Sequence, residues 1–168
     1  MSQSIEVFGA ACHEILSEAP GPEGRAQIRD LLKDVLLDEG FVSRYLGADN
    51  DSPRKLLYED DLGFCVFAHV YKGPATSRPH DHGPSWAIYG QAVGVTEMTD
   101  WAVIEAAEPG GATGKVKAER VYQLEPGDAY LYNEGDVHSP ERTSETRLIR
   151  IEGINMDGQP RCYYDAVD

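Results

Sequence analysis

The chain reads LEPGDAYLYNEGDVH from Leu124 to His138, and this segment is the most informative part of the sequence. Pro-Gly-Asp and Asn-Glu-Gly-Asp are turn-forming runs, and the apolar and aromatic residues between them suit a short β-strand. A histidine stands at the start of the strand that follows the second turn. We therefore predict turn, strand, turn and strand in this order, with His138 on the last strand.

The same pattern of short strands separated by turns is found throughout the chain from Pro53 onward. Segments rich in Val, Ile, Tyr, Phe and Trp alternate with clusters of Gly, Pro, Asp and Asn. Many short strands with frequent turns are typical of a sandwich or a barrel. The candidate strands are Leu56–Glu59, Phe64–Tyr71, Ser85–Tyr89, Gly94–Ile104, Val116–Gln123, Ala129–Tyr132, Val137–Glu141, Thr146–Glu152 and Arg161–Tyr164.

Residues 1–47 have a different periodicity, which predicts two or three α-helices. Apolar residues recur at helical spacing behind Ser4, a typical N-cap residue, and again after Pro22, which suits the first turn of a helix. We expect these apolar stripes to pack against the β-rich part of the chain. The sequence thus predicts one domain over residues 1–168, with the β-barrel in residues 54–165.

The composition excludes several classes of function. The chain of 168 residues carries 15 Lys and Arg against 29 Asp and Glu, a formal net charge of −14 at pH 7. So acidic a surface repels phosphate backbones and anionic lipid heads, so we expect no nucleic-acid partner and no membrane partner. The first residues lack the pattern of a signal peptide. The three cysteines are too few and too far apart for a disulfide framework, which indicates a cytoplasmic protein.

Two histidines in the segment RPHDHGP, from Arg78 to Pro84, are the first chemical signal. Alternate residues of a β-strand point to the same side, so His80 and His82 can direct both imidazole rings at one point. A metal site needs such convergence, together with a ligand from elsewhere in the chain. The alternative is that both rings lie in solvent on a loop.

The two segments together resemble the paired motifs of the cupin superfamily, whose fold is a double-stranded β-helix, or jelly roll. The first cupin motif supplies His-x-His and usually a glutamate, and the second runs Pro-Gly-Asp, then Gly, two residues and His. The resemblance covers roughly residues 56–164 and implies a metal ion on His80, His82 and His138. It also implies a mainly β fold, a cupin jelly roll preceded by two or three N-terminal α-helices.

The glutamate of the first motif is absent, since Trp86 and Ala87 stand where it is expected. Three neutral ligands leave a divalent ion its full charge, which should favour an anionic ligand such as a thiolate or a carboxylate. The three-histidine set and its flanking segments are similar to those of the bacterial thiol dioxygenases, cysteine dioxygenase and 3-mercaptopropionate dioxygenase. This resemblance implies an Fe(II) enzyme that uses O2 to oxidise a small carboxylate-bearing thiol to a sulfinate.

The thiol-dioxygenase resemblance also implies an arginine that holds the substrate carboxylate through a bidentate fork. Arg54 occupies the matching place before the first motif, and Arg161 is a second candidate near the last strand. Either arginine could instead form a surface salt bridge. Candidates for the wall of the substrate pocket, with a place in the core as the alternative, are Trp86, Tyr89, Tyr130 and Tyr132.

The late strand departs from the family pattern. Thiol dioxygenases carry Ser-x-His-x-Tyr there, whereas this chain has Leu148, Arg150 and Glu152 at those positions. If Arg150 and Glu152 face inward, both could contact a charged substrate, and Glu152 could act as a base or as a fourth metal ligand. If Ile149 and Ile151 face inward instead, both charges are solvated. Alternation does not choose between the two orientations, but the register of the motif favours the inward one.

This departure leaves two other functions open. One is a cupin isomerase, lyase or hydrolase in which the metal acts as a Lewis acid, and the other is a non-catalytic cupin that binds a small molecule. Three imidazoles accept Ni, Zn or Cu as well as Fe(II), so the ligand set does not fix the metal. We expect a small anionic substrate and O2 as partners, and nothing in the sequence decides between a monomer and a homodimer.

Overall fold

The computed structural model describes residues 2–168 and contains three helices followed by ten strands over that range. The helices are α1 (Ile5–Glu18), α2 (Pro22–Leu36) and α3 (Glu39–Leu46), which confirms the helical prediction for this part of the chain. Ser4 caps α1, where its hydroxyl accepts a hydrogen bond of 3.3 Å from the N–H of Val7. Pro22 stands at the first position of α2, where its missing N–H costs nothing.

The strands follow from residue 55 onward, separated by turns that contain glycine, proline, aspartate and asparagine. Most of them lie where segments rich in Val, Ile, Tyr, Phe and Trp between turn-forming clusters predict a strand. They are β1 (Lys55–Glu59), β2 (Cys65–Tyr71), β3 (Ala75–Thr76), β4 (Ala87–Val93), β5 (Thr96–Glu105), β6 (Gly114–Leu124), β7 (Ala129–Tyr132), β8 (Val137–Arg142), β9 (Thr146–Glu152) and β10 (Tyr164–Ala166).

The ten strands form two five-stranded sheets, in the orders β1-β2-β9-β4-β7 and β10-β6-β5-β8-β3. Among the described residues every strand pair is antiparallel except β6 with β10. The chain passes repeatedly from one sheet to the other between β4 and β9, so that strands distant in sequence become neighbours. This is the double-stranded β-helix predicted from the sequence.

Four local predictions differ from the structure. The strand predicted over Ser85–Tyr89 instead spans Ala87–Val93. Strand β3 is missing from the prediction because two residues are too short to show a hydrophobic period. The last strand begins at Tyr164 rather than at Arg161, since it pairs with β6 only over three residues. Gly94 does not begin a strand; it adopts φ 73° in the turn before β5. A Cβ atom at Gly94 would lie 2.2 Å from the carbonyl oxygen of Glu145, so this turn requires glycine.

The helices cover the outer face of the first sheet, as their apolar stripes predict. Ile149 and Ile151 of β9 belong to the apolar cluster beneath the helices. Because alternate residues of a strand point to opposite faces, Arg150 and Glu152 are directed into the space between the two sheets. None of the helices among residues 2–168 has the length and apolar character needed to cross a membrane. Fully buried helical residues in this cluster are Phe8, Cys12, Ile28, Leu32 and Phe41.

Candidate metal centre

Three histidine side chains meet between the two sheets. His80 and His82 lie in the segment between β3 and β4, and His138 lies on β8. One ring nitrogen of each histidine lies within 4.8 Å of those of the other two, and the Nε2 atoms of His82 and His138 are 3.1 Å apart. Two imidazole nitrogens that share an ion at about 2.1 Å each stand about 3 Å apart, so this separation fits a common metal ion.

Backbone hydrogen bonds bring two of the ligand-bearing segments together. The N–H of His80 donates to the carbonyl of His138 at 3.1 Å, and the N–H of His138 donates back to the carbonyl of His80 at 3.0 Å. This reciprocal pair is an isolated antiparallel bridge. It fixes the first motif against β8, so that the two imidazole rings approach with their centroids 4.9 Å apart.

Backbone carbonyls also fix the orientation of two rings. The Nδ1–H of His80 donates to the carbonyl of Arg78 at 2.9 Å, and the Nδ1–H of His138 donates to the carbonyl of Asp136 at 3.0 Å. A neutral imidazole that carries its proton on Nδ1 has its lone pair on Nε2. Both rings therefore present an acceptor nitrogen to the centre, as metal-binding histidines do.

Burial keeps the three rings uncharged at neutral pH. His80, His82 and His138 are 5%, 2% and 0% exposed. Loss of hydration lowers the pKa of His80 to about 4 and holds the pKa values of His82 and His138 well below the usual value for histidine. The positive charges of Arg150 and Arg161 lower all three pKa values further. The neutral imidazole is the form that binds a metal ion.

Two of the four aromatic candidates contact the histidines. The hydroxyl of Tyr89 lies 3.0 Å from Nε2 of His82 and 3.3 Å from Nε2 of His138. The ring of Tyr132 stacks on the imidazole of His138, with centroids 4.0 Å apart. Tyr89 is buried, and its hydroxyl is therefore held beside the point at which the three histidines converge.

A cavity of about 360 Å³ adjoins this point. Its floor contains His80, Tyr89 and Arg150, and the half-buried Arg161 lies nearer its mouth. Four arginines and a histidine line the cavity, and none of its lining residues within the described part of the chain is acidic. This is notable in a chain with a net charge of −14, because it gives the cavity a positive potential that attracts anions.

Arg150 and Glu152 face inward, in the orientation that the motif register favours, but they have different surroundings. Arg150 lies over the ring of Tyr89, 4.5 Å from its centroid, at the cavity. Glu152 is fully buried and accepts two hydrogen bonds of 3.0 Å from Arg54 and one of 3.2 Å from the N–H of Met156. The structure thus brings Glu152 to Arg54 and does not place it in the group of three histidines.

The guanidinium of Arg54 is bound by other groups of the protein and is not free to hold a substrate carboxylate. Its guanidinium stacks on the ring of Phe67, 3.7 Å from the centroid, and both of its Nη atoms are bound to Glu152. It is not among the residues that line the cavity beside His80. Of the two arginines that the resemblance offers for the substrate carboxylate, the structure places Arg161 at the cavity and Arg54 outside it.

Trp86 and Tyr130 also lie outside this cavity. Trp86 immediately precedes β4 and belongs to the cluster beneath the helices. Ala87 and Tyr89, one and three positions further on, point to the opposite side. Tyr130 stacks on Tyr122 with centroids 4.5 Å apart, beside a separate cavity of about 310 Å³. Neither aromatic ring is brought to the three histidines by this fold.

The sequence prediction omits Arg142, which lies on the cavity floor and is 3% exposed. Its guanidinium stands over the ring of Tyr71, 4.3 Å from the centroid. Burial lowers the pKa of Arg142 from its ordinary value. Strand alternation counted from His138 could have found it, since residues 138, 140 and 142 share one face of β8.

Comparison with known proteins gives similarities at the level of the fold. No family model and no curated protein matches the chain. Solved structures similar to it include those of KdgF from Halomonas sp. (18% identity, TM-score 0.43, covering 59% of this chain and 74% of that one), a cupin-2 domain protein from Shewanella frigidimarina (14%, 0.45, 70% and 95%) and a double-stranded β-helix protein from Klebsiella pneumoniae (16%, 0.46, 66% and 80%). The fold and the site of this chain define a jelly-roll protein with a buried cluster of three histidines.

Proposed function

We propose that the protein is a metal-dependent cupin enzyme and, more specifically, a non-haem Fe(II) dioxygenase that oxidises a small carboxylate-bearing thiol to a sulfinate. The observation that carries this proposal is the position of three neutral imidazoles beside a cavity lined by arginines. The imidazoles suit a divalent cation, and the arginines suit an anionic substrate that binds next to it.

The residues present fit a metal ion. His80, His82 and His138 would hold it, and two of their tautomers already leave Nε2 free. The two Nε2 atoms that stand 3.1 Å apart would direct lone pairs at each other if no cation or proton lay between them. A bound Fe(II) ion would supply a position at which the substrate thiol is held as the thiolate and reacts with O2.

The arginines bind and orient the substrate in this proposal. Arg161 near the mouth attracts the carboxylate, and Arg150 at the floor fixes it through charge-assisted hydrogen bonds, which places the sulfur next to His80. The hydroxyl of Tyr89 can donate a hydrogen bond to a group held between His82 and His138. Both atoms of O2 are transferred to sulfur, so the thiol and O2 together yield the sulfinic acid without another reductant.

Oxygen consumption tests the dioxygenase. Iron-loaded protein is supplied with cysteine, 3-mercaptopropionate and other mercapto acids, and the sulfinate is identified by mass spectrometry. We expect uptake of one O2 for each thiol oxidised, its loss in His138→Ala, and its retention in His69→Gln, which changes a buried histidine outside the cluster. A protein that consumes no oxygen with any of these thiols is not a thiol dioxygenase.

One observation favours a second candidate, a cupin isomerase, lyase or hydrolase that uses a Lewis-acid metal. Strand β9 carries Leu148, Arg150 and Glu152 on its inner face, and so provides neither the histidine nor the tyrosine of the thiol dioxygenases. Zinc-loaded protein that converts a small carboxylate substrate in the absence of O2 would support this candidate. Sub-stoichiometric metal after growth in iron, together with a melting temperature that ignores chelators, would indicate a non-catalytic protein instead.

A further inference from the structure

The cavity floor contains guanidinium groups whose hydrogen-bonding capacity is not satisfied. Arg142 and Arg150 are 3% and 8% exposed. Buried N–H groups without an acceptor are Nε and Nη2 of Arg142 and Nε of Arg150. Leaving buried charged donors without an acceptor costs free energy. These groups therefore indicate a ligand that brings acceptor oxygens to the floor.

The protein supplies little negative charge to these arginines. Arg142 and Arg161 take part in none of the ion pairs found within residues 2–168. The carboxylate of Glu152 lies 3.8 Å from Nη1 of Arg150, but its two oxygens already accept the fork of Arg54. The charge of this cluster is thus left for a ligand to neutralise.

The arginines lie at two depths. Arg142 and Arg150 are buried at the floor, whereas Arg161 is half-buried and stands with the exposed Arg78 near the mouth. Arg78 is bound to Asp165 at 2.9 Å, whereas Arg161 has no ion-pair partner among residues 2–168. A guanidinium fork occupies both oxygens of a carboxylate. One carboxylate can therefore bind the arginines of the floor or the arginine of the mouth, but not both.

We propose that the natural ligand of this cavity is a small dicarboxylate, with one carboxylate on Arg142 and Arg150 at the floor and the other on Arg161 at the mouth. The cavity volume of about 360 Å³ lies at the small end of the range for ligand sites and suits a molecule of four or five carbon atoms. The inference rests on the proposed function only in taking this cavity as the substrate site. It narrows the substrate from a carboxylate-bearing molecule to one with two acidic groups.

Calorimetric titration with succinate and butyrate tests the proposal, since these ligands share four carbon atoms and differ by one carboxylate. We expect succinate to bind at least about tenfold more tightly. Arg161→Gln should remove this preference by weakening succinate binding and leaving butyrate unchanged. Arg120→Gln, which changes an exposed arginine bound to Asp100 outside this cavity, should alter neither affinity. Equal affinities for the two ligands, or an equal loss of both in Arg161→Gln, would overturn the proposal.

A second variant keeps the test decisive if Arg161→Gln does not fold. Arg142→Gln, with its folding checked by circular dichroism, should weaken both ligands, because both place a carboxylate at the floor. Unchanged binding of both would overturn the proposal. The titrations need no iron and no turnover, so the two proposals can fail separately. A preference for succinate without thiol oxidation would contradict only the dioxygenase proposal. Thiol oxidation without a preference for succinate would contradict only the dicarboxylate proposal.

Discussion

Arg54 and Glu152 form a bidentate ion pair, in which each guanidinium Nη atom lies 3.0 Å from one carboxylate oxygen. Glu152 is fully buried, and Arg54 is largely covered by the ring of Phe67. The thiol-dioxygenase resemblance implies that Arg54 holds a substrate carboxylate, but here a carboxylate from β9 already occupies that position. The pair joins the segment before β1 to the late strand of the sheet, and its role in this structure is to neutralise two inward charges.

Glu152→Gln should therefore destabilise the protein. The substitution leaves the largely buried guanidinium of Arg54 with only the exposed carboxylate of Asp157 as a counter-charge, and we expect the free energy of unfolding to fall by about 3 kcal/mol. Urea denaturation measures this change. The matched control is Glu134→Gln, which removes an exposed carboxylate from its pair with Arg25 and should cost less than about 1 kcal/mol. Equal losses in the two variants would contradict a structural role for the buried pair.

His138→Ala should abolish metal-dependent stabilisation. Removing one of three ligands is expected to weaken metal binding by about a hundredfold or more. In wild-type protein, Fe(II) or Zn(II) should raise the melting temperature, because the ion binds the folded state. Scanning calorimetry with and without the ion, together with elemental analysis, measures both effects. His69→Gln is the control and should retain the stabilisation; a variant at position 138 that binds metal normally would refute the three-histidine centre.

The metal-free protein should lose stability as the pH falls from 6.5 towards 4. The pKa of His80 is lowered to about 4 by burial, so between these values the unfolded state binds more protons than the folded state. Stability therefore rises with pH in this window, and His80 alone contributes about 3 kcal/mol to the difference. The lowered pKa values of His82 and His138 act in the same direction. Urea midpoints measured from pH 4.5 to 7.5 would show it, and His138→Leu should have a shallower dependence.

Arg147→Met should detach the end of α3 from the barrel. The two N–H groups of Arg147 Nη1 are shared among the carbonyl oxygens of Leu46, Gly47 and Asn50, which lie at 3.1, 2.6 and 3.0 Å. Losing these charge-assisted hydrogen bonds should lower the free energy of unfolding by about 3 kcal/mol. It should also raise amide exchange in α3, which hydrogen-exchange mass spectrometry can measure. Arg44→Met, on the exposed side of the same helix, should change neither quantity measurably.

Local chemistry explains why much of the fold could be predicted from the sequence. Ser4 and Pro22 mark helix starts through their own capping and backbone properties, without help from distant residues. The turn before Ala129 and the turn before His138 are likewise encoded by their own residues. The convergence of the three histidines depends on a long-range bridge between His80 and His138, and it was predicted only through the resemblance to paired cupin motifs.

The remaining features depend on pairing across the sheets, which local patterns do not encode. The partner of Glu152 lies 98 positions away in the sequence, and only the register of β1, β2 and β9 brings it there. Arg142 carries no motif and is recognised only once the face of β8 that bears His138 is known. Trp86 and Tyr130 are pocket candidates in the sequence because the local pattern does not fix which strand faces line the cavity.

The contrast between an acidic exterior and a basic cavity has a kinetic consequence. A chain with a net charge of −14 repels a dianion at long range, whereas the arginines attract it only once it has entered. Dissolved salt screens distant charges over about 8 Å at physiological ionic strength but acts weakly inside a narrow cavity. Association of an anionic ligand should thus become faster as salt is added, the reverse of the usual electrostatic steering of oppositely charged partners.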